Sequence, residues 1–352
     1  MTDDSDATRP PADPAATRRA KGPPPEIVAL ASARSEARDA RDWPRADDLR
    51  AAIEAAGWKV VDRGTRFTIQ RAVPPDLADG DGTRYGSAAG VPSVLDEPPD
   101  AAFSVELLAD DWPADLARCL AGLRAHAPAG TQVVVVANAP DAAQADRLVA
   151  GAPDLAPIGD LDVEVVRTSV RLGHAAARNV GLRRARGGIV VLADTSIEPT
   201  GDALTPLADA LADQTVAVAG GFGIVSADLR RFEDASGPEV DAIEGYWLAF
   251  RRDDIARLGP LDEKFAFYRN LDIWWSLVLR AGDDTSPPRR AIRVALPLVR
   301  HEHRGWTSLG EEERDRLSRR NFYRVLDRFR GRTDLLVSPA TSSEATPPGS
   351  AE

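Results

Sequence analysis

Short apolar runs alternate with amphipathic stretches along the middle of the chain. The runs have the length and β-branched content of buried strands, and they are FSVELLA, TQVVVVAN, DVEVVRT and GIVVLAD. Between them, apolar residues recur at helical spacing in PADLARCLAGLRAH, DAAQADRLVA and GHAAARNVGLRRARG. This order predicts an α/β fold with a mostly parallel sheet and helices on both faces. Two later helices are predicted at NLDIWWSLVLRAG and GEEERDRLSRRNFYRVLDRF.

The N-terminal region has a different pattern. Two amphipathic stretches predict a helical hairpin that Gly57 ends, and WKVVD and RFTIQ then alternate as a β-hairpin with its turn at 62–64. A stretch crowded with Pro, Gly and Asp follows and predicts a linker, while the composition of both chain ends predicts disorder. The predicted order is a disordered start, a small module, a linker, a large domain and a disordered tail, at 1–24, 25–73, 74–100, 101–335 and 336–352.

The composition narrows the possible functions. The 352 residues carry a net charge of −11 and a pI of about 5.0, which argues against a generally basic nucleic-acid-binding surface. The single cysteine, Cys119, excludes an internal disulfide and a multi-cysteine zinc site. No apolar run approaches the ~18–20 residues of a membrane span. We therefore expect no transmembrane segment and a cytoplasmic location, either free or peripheral to the inner face of a membrane.

The small module resembles the C-terminal end of cysteinyl-tRNA synthetases over residues 28–71. The shared residues are Arg34, Ala37, Arg38, Asp42, Trp43, Ala46, Asp47, Leu49, Arg50, Gly57, Asp62, Gly64 and Thr65. The resemblance implies contact with tRNA through arginines. Acidic residues are interleaved with those arginines, however, and such mixing is typical of a solvated face with local ion pairs. We expect Trp43 and Trp58 to anchor the core of this module.

Three stretches of the large domain together resemble the family 2 glycosyltransferases of GT-A fold, over about residues 101–330. They are RLGHAAARNVGLRRARGGIVVLADTSIEP, GYWLAFRRDDIARLGPLDEKFAFYRNLDIWWSLVLRAG and VRHEHRGWTS, in the order of that family. The resemblance implies a nucleotide-sugar donor, a hydroxyl acceptor such as a glycan or a lipid-linked sugar, inversion at the anomeric carbon, and a divalent cation.

The metal site of that family is only partly present. Asp194 occupies the first acidic position of the loop after the fourth strand, and Ser196 occupies the second. A hydroxyl is a weak neutral ligand, so Mg²⁺ or Mn²⁺ is expected to be held weakly. A late histidine completes the metal or pyrophosphate site in the family, and the sequence offers both His301 and His303 without choosing between them.

Other residues are expected to contact the nucleotide. In GHAAARN, Gly173 permits close approach, the helix N-terminus favours phosphate, and Arg178 with Asn179 holds the nucleotide or the acidic loop. Asn138 stands near the end of a predicted strand, where its amide can hydrogen-bond a base. His174 is expected to be a surface histidine at the helix start.

The acceptor side departs most from the family pattern. The usual Glu-Asp pair falls on Arg269 and Asn270, and the further Asp of the pattern, one residue later, falls on Asp272 after Leu271. The usual base is thus replaced by Asn270, which cannot take a proton at neutral pH. Asp272 remains as a catalytic candidate or as a charge at a helix start, and Glu263 is a substitute base. Trp247 and Tyr268 are candidates to stack on sugar rings, with core packing as the alternative.

Two other classes of function stay open. Arg269, Asn270 and Ser196 favour a catalytically silent GT-A domain that binds a nucleotide, a glycan or a protein. The small module favours an RNA-associated accessory protein, which the net charge opposes.

Overall fold

The computed structural model describes residues 22–63, 66–149, 161–282 and 286–338, and these form two compact units, Met1–Pro74 and Pro75–Glu352. The predictions of disorder at 1–24 and 336–352 lie outside the described residues, except for three residues at each inner end. Gly64 and Thr65 also lie outside them. No helix in the described ranges is both long and apolar enough to span a bilayer.

The small unit is a helical hairpin followed by a β-hairpin, as the sequence predicts. Its elements are α1 (Pro25–Asp39), α2 (Trp43–Ala55), β1 (Trp58–Arg63) and β2 (Arg66–Arg71), with β1 and β2 antiparallel. Gly57 follows α2 with φ of +76°, a conformation that glycine adopts without strain.

The small unit buries a thin core and pairs its arginines internally. Trp58 is buried with Ile27 and Ile53, whereas Trp43 is 55% exposed, so the expectation for Trp43 was wrong: it is the first residue of α2 and faces away from the core. Arg34 is bonded to Asp62 through both of its terminal nitrogens. In that pair Arg34 is buried and its partner is distant in the sequence, whereas Arg50 and Glu54 form the kind of exposed local ion pair that the solvated-face alternative expects. The synthetase resemblance stays a prediction.

The large unit carries the other elements. Its strands are β3 (Leu77–Asp79), β4 (Gly82–Tyr85), β5 (Ala101–Ala109), β6 (Gln132–Ala137), β7 (Asp162–Thr168), β8 (Gly187–Ala193), β9 (Ile197–Pro199), β10 (Val216–Gly220), β11 (Gly223–Val225), β12 (Glu233–Asp234), β13 (Glu239–Val240), β14 (Ala242–Ile243), β15 (Trp247–Arg251), β16 (Arg290–Arg293) and β17 (Leu298–Arg300). Its helices are α3 (Pro113–His126), α4 (Ala142–Arg147), α5 (His174–Leu182), α6 (Thr205–Ala212), α7 (Asp253–Leu258), α8 (Leu271–Arg280), α9 (Arg304–Thr307) and α10 (Glu311–Phe329).

The main sheet confirms the predicted α/β class. Its strands lie in the order β13-β16-β10-β15-β8-β5-β6-β7-β4-β3. The central run from β8 to β4 is parallel throughout, and β15 joins it antiparallel to β8. The carboxyl ends of the parallel strands therefore share one edge, where ligands of open α/β sheets bind.

Both faces of the sheet are covered by helices because successive side chains of a strand point to opposite faces. In β6, Val133 and Val135 pack with α3 and α6, while Val134 and Val136 pack on the face of α5. The helices α8 and α10 complete the second face through residues such as Trp275 and Phe329.

The segment predicted as a linker, 74–100, is instead folded into the large unit from Pro75 onwards. The hairpin of β3 and β4 extends the main sheet beside β7, and a 3₁₀ turn at Ala88–Gly90 follows it. Val91 and Val94 are buried, and Arg183 donates to the carbonyl oxygen of Val91. The Pro and Gly residues shape turns in a segment held by its few apolar side chains, which is why composition alone indicated a linker.

Candidate functional site

The candidate site begins where β8 ends. Asp194 follows Ala193 at the carboxyl edge of the sheet, and its amide donates to the carbonyl oxygen of Tyr246 at 3.0 Å. The short strand β9 then pairs with β17, and the amide of His301 donates to the carbonyl oxygen of Ser196. This pairing returns a segment more than 100 residues later to the side of Asp194.

Hydrogen bonds surround the carboxylate of Asp194. Ser196 donates to Oδ1 from its amide at 2.8 Å and from its hydroxyl at 2.5 Å, and His303 Nε2 lies 3.2 Å from Oδ2. Burial by itself raises the pKa of Asp194, but the hydrogen bonds from His303 and Ser196 outweigh burial and hold the pKa well below its usual range. Asp194 is therefore a fixed negative charge at neutral pH.

The structure distinguishes the two late histidines. His303 reaches Asp194, whereas Nε2 of His301 lies 2.7 Å from Oε2 of Glu198. The amide of Trp306 donates to Nδ1 of His303 at 3.0 Å, which leaves the proton on Nε2, facing Asp194. Of the predicted pair, only His303 is therefore placed beside Asp194.

Asp194, Ser196 and His303 can hold a divalent cation only together with oxygen atoms of a bound ligand. No group of three or more His, Cys, Asp or Glu residues that could hold a metal occurs in the described ranges. Asp194 and His303 supply two ligands, and ligation through Nε2 would move the proton to Nδ1 and give up the bond from Trp306. The hydroxyl of Ser196 is engaged by Asp194. A cation would thus need phosphate oxygens of a ligand to complete its shell.

Two cavities meet at Asp194. The large cavity, of about 460 Å³, is lined by side chains from 230–234, 244–248, 268–275 and α10. The small cavity, of about 90 Å³, lies against 108–115 and 303–305. Both cavities share the side chains of His174, Arg178, Asp194, Tyr268 and His303.

Arg178 forms the back wall of both cavities, where it also braces the sheet. It donates to the carbonyl oxygens of Glu106 in β5 and Ala193 in β8, at 3.2 and 3.1 Å, and Glu106 Oε1 lies 3.8 Å from its guanidinium. Burial raises the pKa of Glu106 to about 8, although the charge of Arg178 opposes this. Arg178 thus brings a buried positive charge to the edge of the site.

Asn138 is placed behind the site rather than in it. Its amide nitrogen donates to Asp110 Oδ1 and to the carbonyl oxygen of Leu172, while its oxygen accepts from the Leu172 amide and from Thr168. All of its hydrogen-bonding capacity is therefore used inside the protein, which corrects the expectation that Asn138 binds a base. It holds two loops in position.

The start of α5 also differs from the expectation. A Cβ on Gly173 would lie 2.9 Å from Cα of Ala266, so this glycine permits close packing of two backbones. The amides of His174 and Ala175 donate to the carbonyl oxygens of Ala266 and Phe265. Both amides already donate hydrogen bonds within the protein, so they are not available to bind a phosphate.

Asn179 and Glu263 form a second structural contact. Asn179 exchanges hydrogen bonds with the backbone of Leu261 and donates to Glu263 Oε1 at 3.3 Å. Glu263 is exposed and lines neither cavity, so it is not placed to act as the substitute base that we expected. Asn179 pins the loop before α8 and does not touch Asp194.

His174 was expected on the surface but lines both cavities, beside the ring of Tyr268. Burial and the charge of Arg178 lower the pKa of His174 to about 3, so the ring is neutral. Tyr268 stacks at 4.7 Å on His303, whereas Trp247 is fully buried in the core. Of the two stacking candidates, only Tyr268 is therefore available to a ligand.

Asn270 and Asp272 both line the large cavity. Asn270 has φ of +66°, a left-handed conformation in which asparagine is favoured, and its amide donates to the carbonyl oxygen of Ser318 in α10. Asp272 accepts from the amides of Gly245 and Ile273, both at 2.9 Å. Burial raises the pKa of Asp272, and these two bonds partly offset the rise.

Sequence reasoning missed Glu244, whose side chain lines the large cavity near Asp272. It precedes Gly245, the first residue of the second family-like stretch. The signal that was present is an acidic residue between the apolar pair Ala242–Ile243 and the buried strand β15.

A comparison with known protein families matches the part of the chain that contains Asp194. Residues 111–269, less than half of the chain, match the family described as Glycosyl transferase family 2. That segment contains Asp194, the residues of α5 and the loop before α8. Among curated proteins, none matches the chain significantly.

Several solved structures resemble the chain at low sequence identity. GalNAc-T7 with UDP, GalNAc and Mn²⁺ has 16% identity and a TM-score of 0.49, covering 64% of this chain and 48% of that one. The mannosyltransferase PcManGT of Pyrobaculum calidifontis, with GDP-Man and Mn²⁺, has 20% identity and a TM-score of 0.42, covering 58% and 57%. TarS of S. aureus has 14% identity and a TM-score of 0.43, covering 66% and 44%.

The chain thus spans about half the length of these proteins. Its large unit has an α/β fold, in which a mostly parallel sheet carries the segment that matches family 2 and presents Asp194 at its edge.

Proposed function

We propose that the protein is a glycosyltransferase, which moves a sugar from a nucleotide-sugar donor to a hydroxyl group of an acceptor with inversion at the anomeric carbon. The observation that carries this proposal is the position of Asp194, at the junction of two cavities inside the family 2 segment. A single displacement needs the acceptor and the leaving group on opposite sides of the sugar, and two adjoining cavities suit that requirement.

The small cavity is the proposed place of the donor diphosphate. Arg178 and Arg304 line it and would supply positive charge to the leaving group, while His303 holds Asp194 in place through Nε2. A divalent cation, when bound between the diphosphate, Asp194 and His303, would neutralise further negative charge on the leaving group. The hydrogen bonds from Ser196 and His303 hold the carboxylate of Asp194 in position before any ligand binds.

The large cavity is the proposed place of the acceptor. Its wall combines Asp272 and Glu244 with the aromatic rings of Tyr246 and Phe322. Carboxylates that accept hydroxyl hydrogen bonds, beside rings that cover apolar sugar faces, suit a glycan or the sugar of a lipid-linked acceptor.

Thermal unfolding with nucleoside diphosphates tests this proposal. The wild type is heated with UDP, GDP, dTDP, CDP and their sugar conjugates, each with Mn²⁺ and with EDTA. A ligand at about 100 times its Kd stabilises by about 2.7 kcal/mol, which raises Tm by about 5 °C or more. Asp194→Asn is expected to lose this shift, and Asp209→Asn, at an exposed position of α6, is the matched control that keeps it.

The outcomes separate the proposal from its alternatives. A shift with one nucleotide, together with release of that nucleoside diphosphate from its sugar conjugate, supports transfer. No shift with any nucleotide contradicts the proposal.

A nucleotide-binding domain without turnover is the second candidate function. It is favoured by Asn270, whose side chain bonds to Ser318 and cannot act as a base. It predicts a thermal shift without release of nucleoside diphosphate from any sugar conjugate.

A further inference from the structure

Glu244 is held at the wall of the large cavity by its backbone. It lies between β14 and β15, two buried strands, and its amide donates to the carbonyl oxygen of Phe222 at 2.9 Å. The next residue, Gly245, donates to Asp272 Oδ2. The main chain on both sides is thus fixed, while the half-buried side chain faces the cavity.

Apart from Asp194, the carboxylates of this wall are Asp234, Glu244 and Asp272, and they differ in their surroundings. Both oxygens of Asp272 accept backbone amides. The carboxylate of Glu244 makes no hydrogen bond or salt bridge with any residue in the described part of the chain. Asp234 is exposed on β12, so Glu244 is the half-buried carboxylate of this wall that is free to receive a proton.

The charges around Glu244 suit a proton acceptor. The charged groups that act on it are Asp272 at the start of α8, Asp234 of β12, Arg300 of β17 and Arg269. Burial and the charge of Asp272 raise the pKa of Glu244, and Arg300 partly offsets the rise. A raised pKa makes a carboxylate a better match for proton transfer near neutral pH.

We propose that Glu244 is the general base of the transfer and takes the role that Asn270 cannot perform. This inference rests on the proposed function. The acceptor hydroxyl gives its proton to the carboxylate of Glu244, and its oxygen forms a bond to the anomeric carbon of the donor sugar. The bond from that carbon to the phosphate oxygen breaks, and its electron pair leaves with the nucleoside diphosphate. Asp272 acts as a positioning residue, because it fixes Gly245 beside the base.

Glu244→Gln tests the proposal, with release of UDP or GDP from UDP- or GDP-sugars as the activity and water or added sugars as acceptors. We expect turnover to fall by about 10²-fold or more, while the thermal shift given by the free nucleoside diphosphate is unchanged. Glu244→Asp keeps a carboxylate and is expected to retain more activity than Glu244→Gln. Glu97→Gln, at an exposed position that lines neither cavity, is the matched control.

The pH profile gives a second readout. A base acts when deprotonated, so kcat of the wild type is expected to fall as pH drops through the raised pKa of Glu244. Glu244→Gln is expected to lose this acid limb. An acid limb that persists in Glu244→Gln belongs to another group and overturns the proposal.

The remaining outcomes are distinct from one another. Full activity of Glu244→Gln in an active wild type overturns this inference and leaves the proposed function standing, as does a selective loss in Glu263→Gln. A wild type that releases no nucleoside diphosphate from any donor overturns both.

Discussion

Asp194 and Glu244 are carboxylates of the same cavity in opposite surroundings. Asp194 accepts from Ser196 twice and faces Nε2 of His303, and its pKa is lowered. Glu244 has no such partner among the described residues, and its pKa is raised. Environments that push two pKa values apart suit one group to hold charge and the other to move a proton.

This difference also shows how a site can lose one acid and remain organised. Asn270, where the resemblance leads us to expect an acid, lines the same cavity as the carboxylate of Glu244. The site is thus defined by the sheet edge and its adjoining loops, and not by one motif.

The largest effect is expected from removing the charge of Asp194. In Asp194→Asn we expect release of nucleoside diphosphate to fall by about 10²- to 10³-fold, because the carboxylate that would hold a divalent cation at the leaving group is lost. Nucleotide binding should weaken as well, whereas Glu244→Gln should affect turnover alone. Steady-state kinetics and calorimetry with the free nucleotide check this, and equal behaviour of the two variants would remove the distinction.

A second prediction places a new carboxylate in the large cavity of a variant that lacks the carboxylate of Glu244. Adding Asn270→Asp to Glu244→Gln is expected to recover on the order of tenfold in turnover, since aspartate tolerates the left-handed conformation at this position. Asn270→Gly in the same background adopts that conformation without a carboxylate and is the control. Equal rates for the two double variants would show that the recovery is not due to a base.

The smallest effect is expected at Gly173, where a substitution tests whether this glycine serves packing or ligand binding. Gly173→Ala is expected to lower the free energy of unfolding by about 1–3 kcal/mol, because the new Cβ meets the backbone of Ala266. Nucleotide binding by the folded variant should be unchanged. Gly188→Ala, whose Cβ would have ordinary van der Waals contact, is the control in thermal unfolding. A selective loss of nucleotide binding in Gly173→Ala would return this glycine to the ligand site.

Local patterns predicted the scaffold well. The apolar runs located β5, β6, β7 and β8, and the end of the last of these located Asp194 at the sheet edge. These features depend on neighbouring residues in the sequence, which is why periodicity finds them.

Contacts between distant segments could not be predicted in this way. The choice of His303 over His301 depends on the pairing of β9 with β17, and the role of Asn179 depends on a backbone 82 residues away. Glu244 was missed for the same reason, because only the folded wall places it near Asp272.

The ring of Tyr268 has a consequence for how ligands influence one another. It forms part of the wall of both cavities and stacks on His303. Any change that one ligand makes in the position of this ring alters the binding free energy of the other, and thermodynamic linkage makes that change equal in both directions. The affinity measured for an acceptor should therefore depend on whether the nucleotide is present, and the affinity for the nucleotide should depend on the acceptor by the same factor.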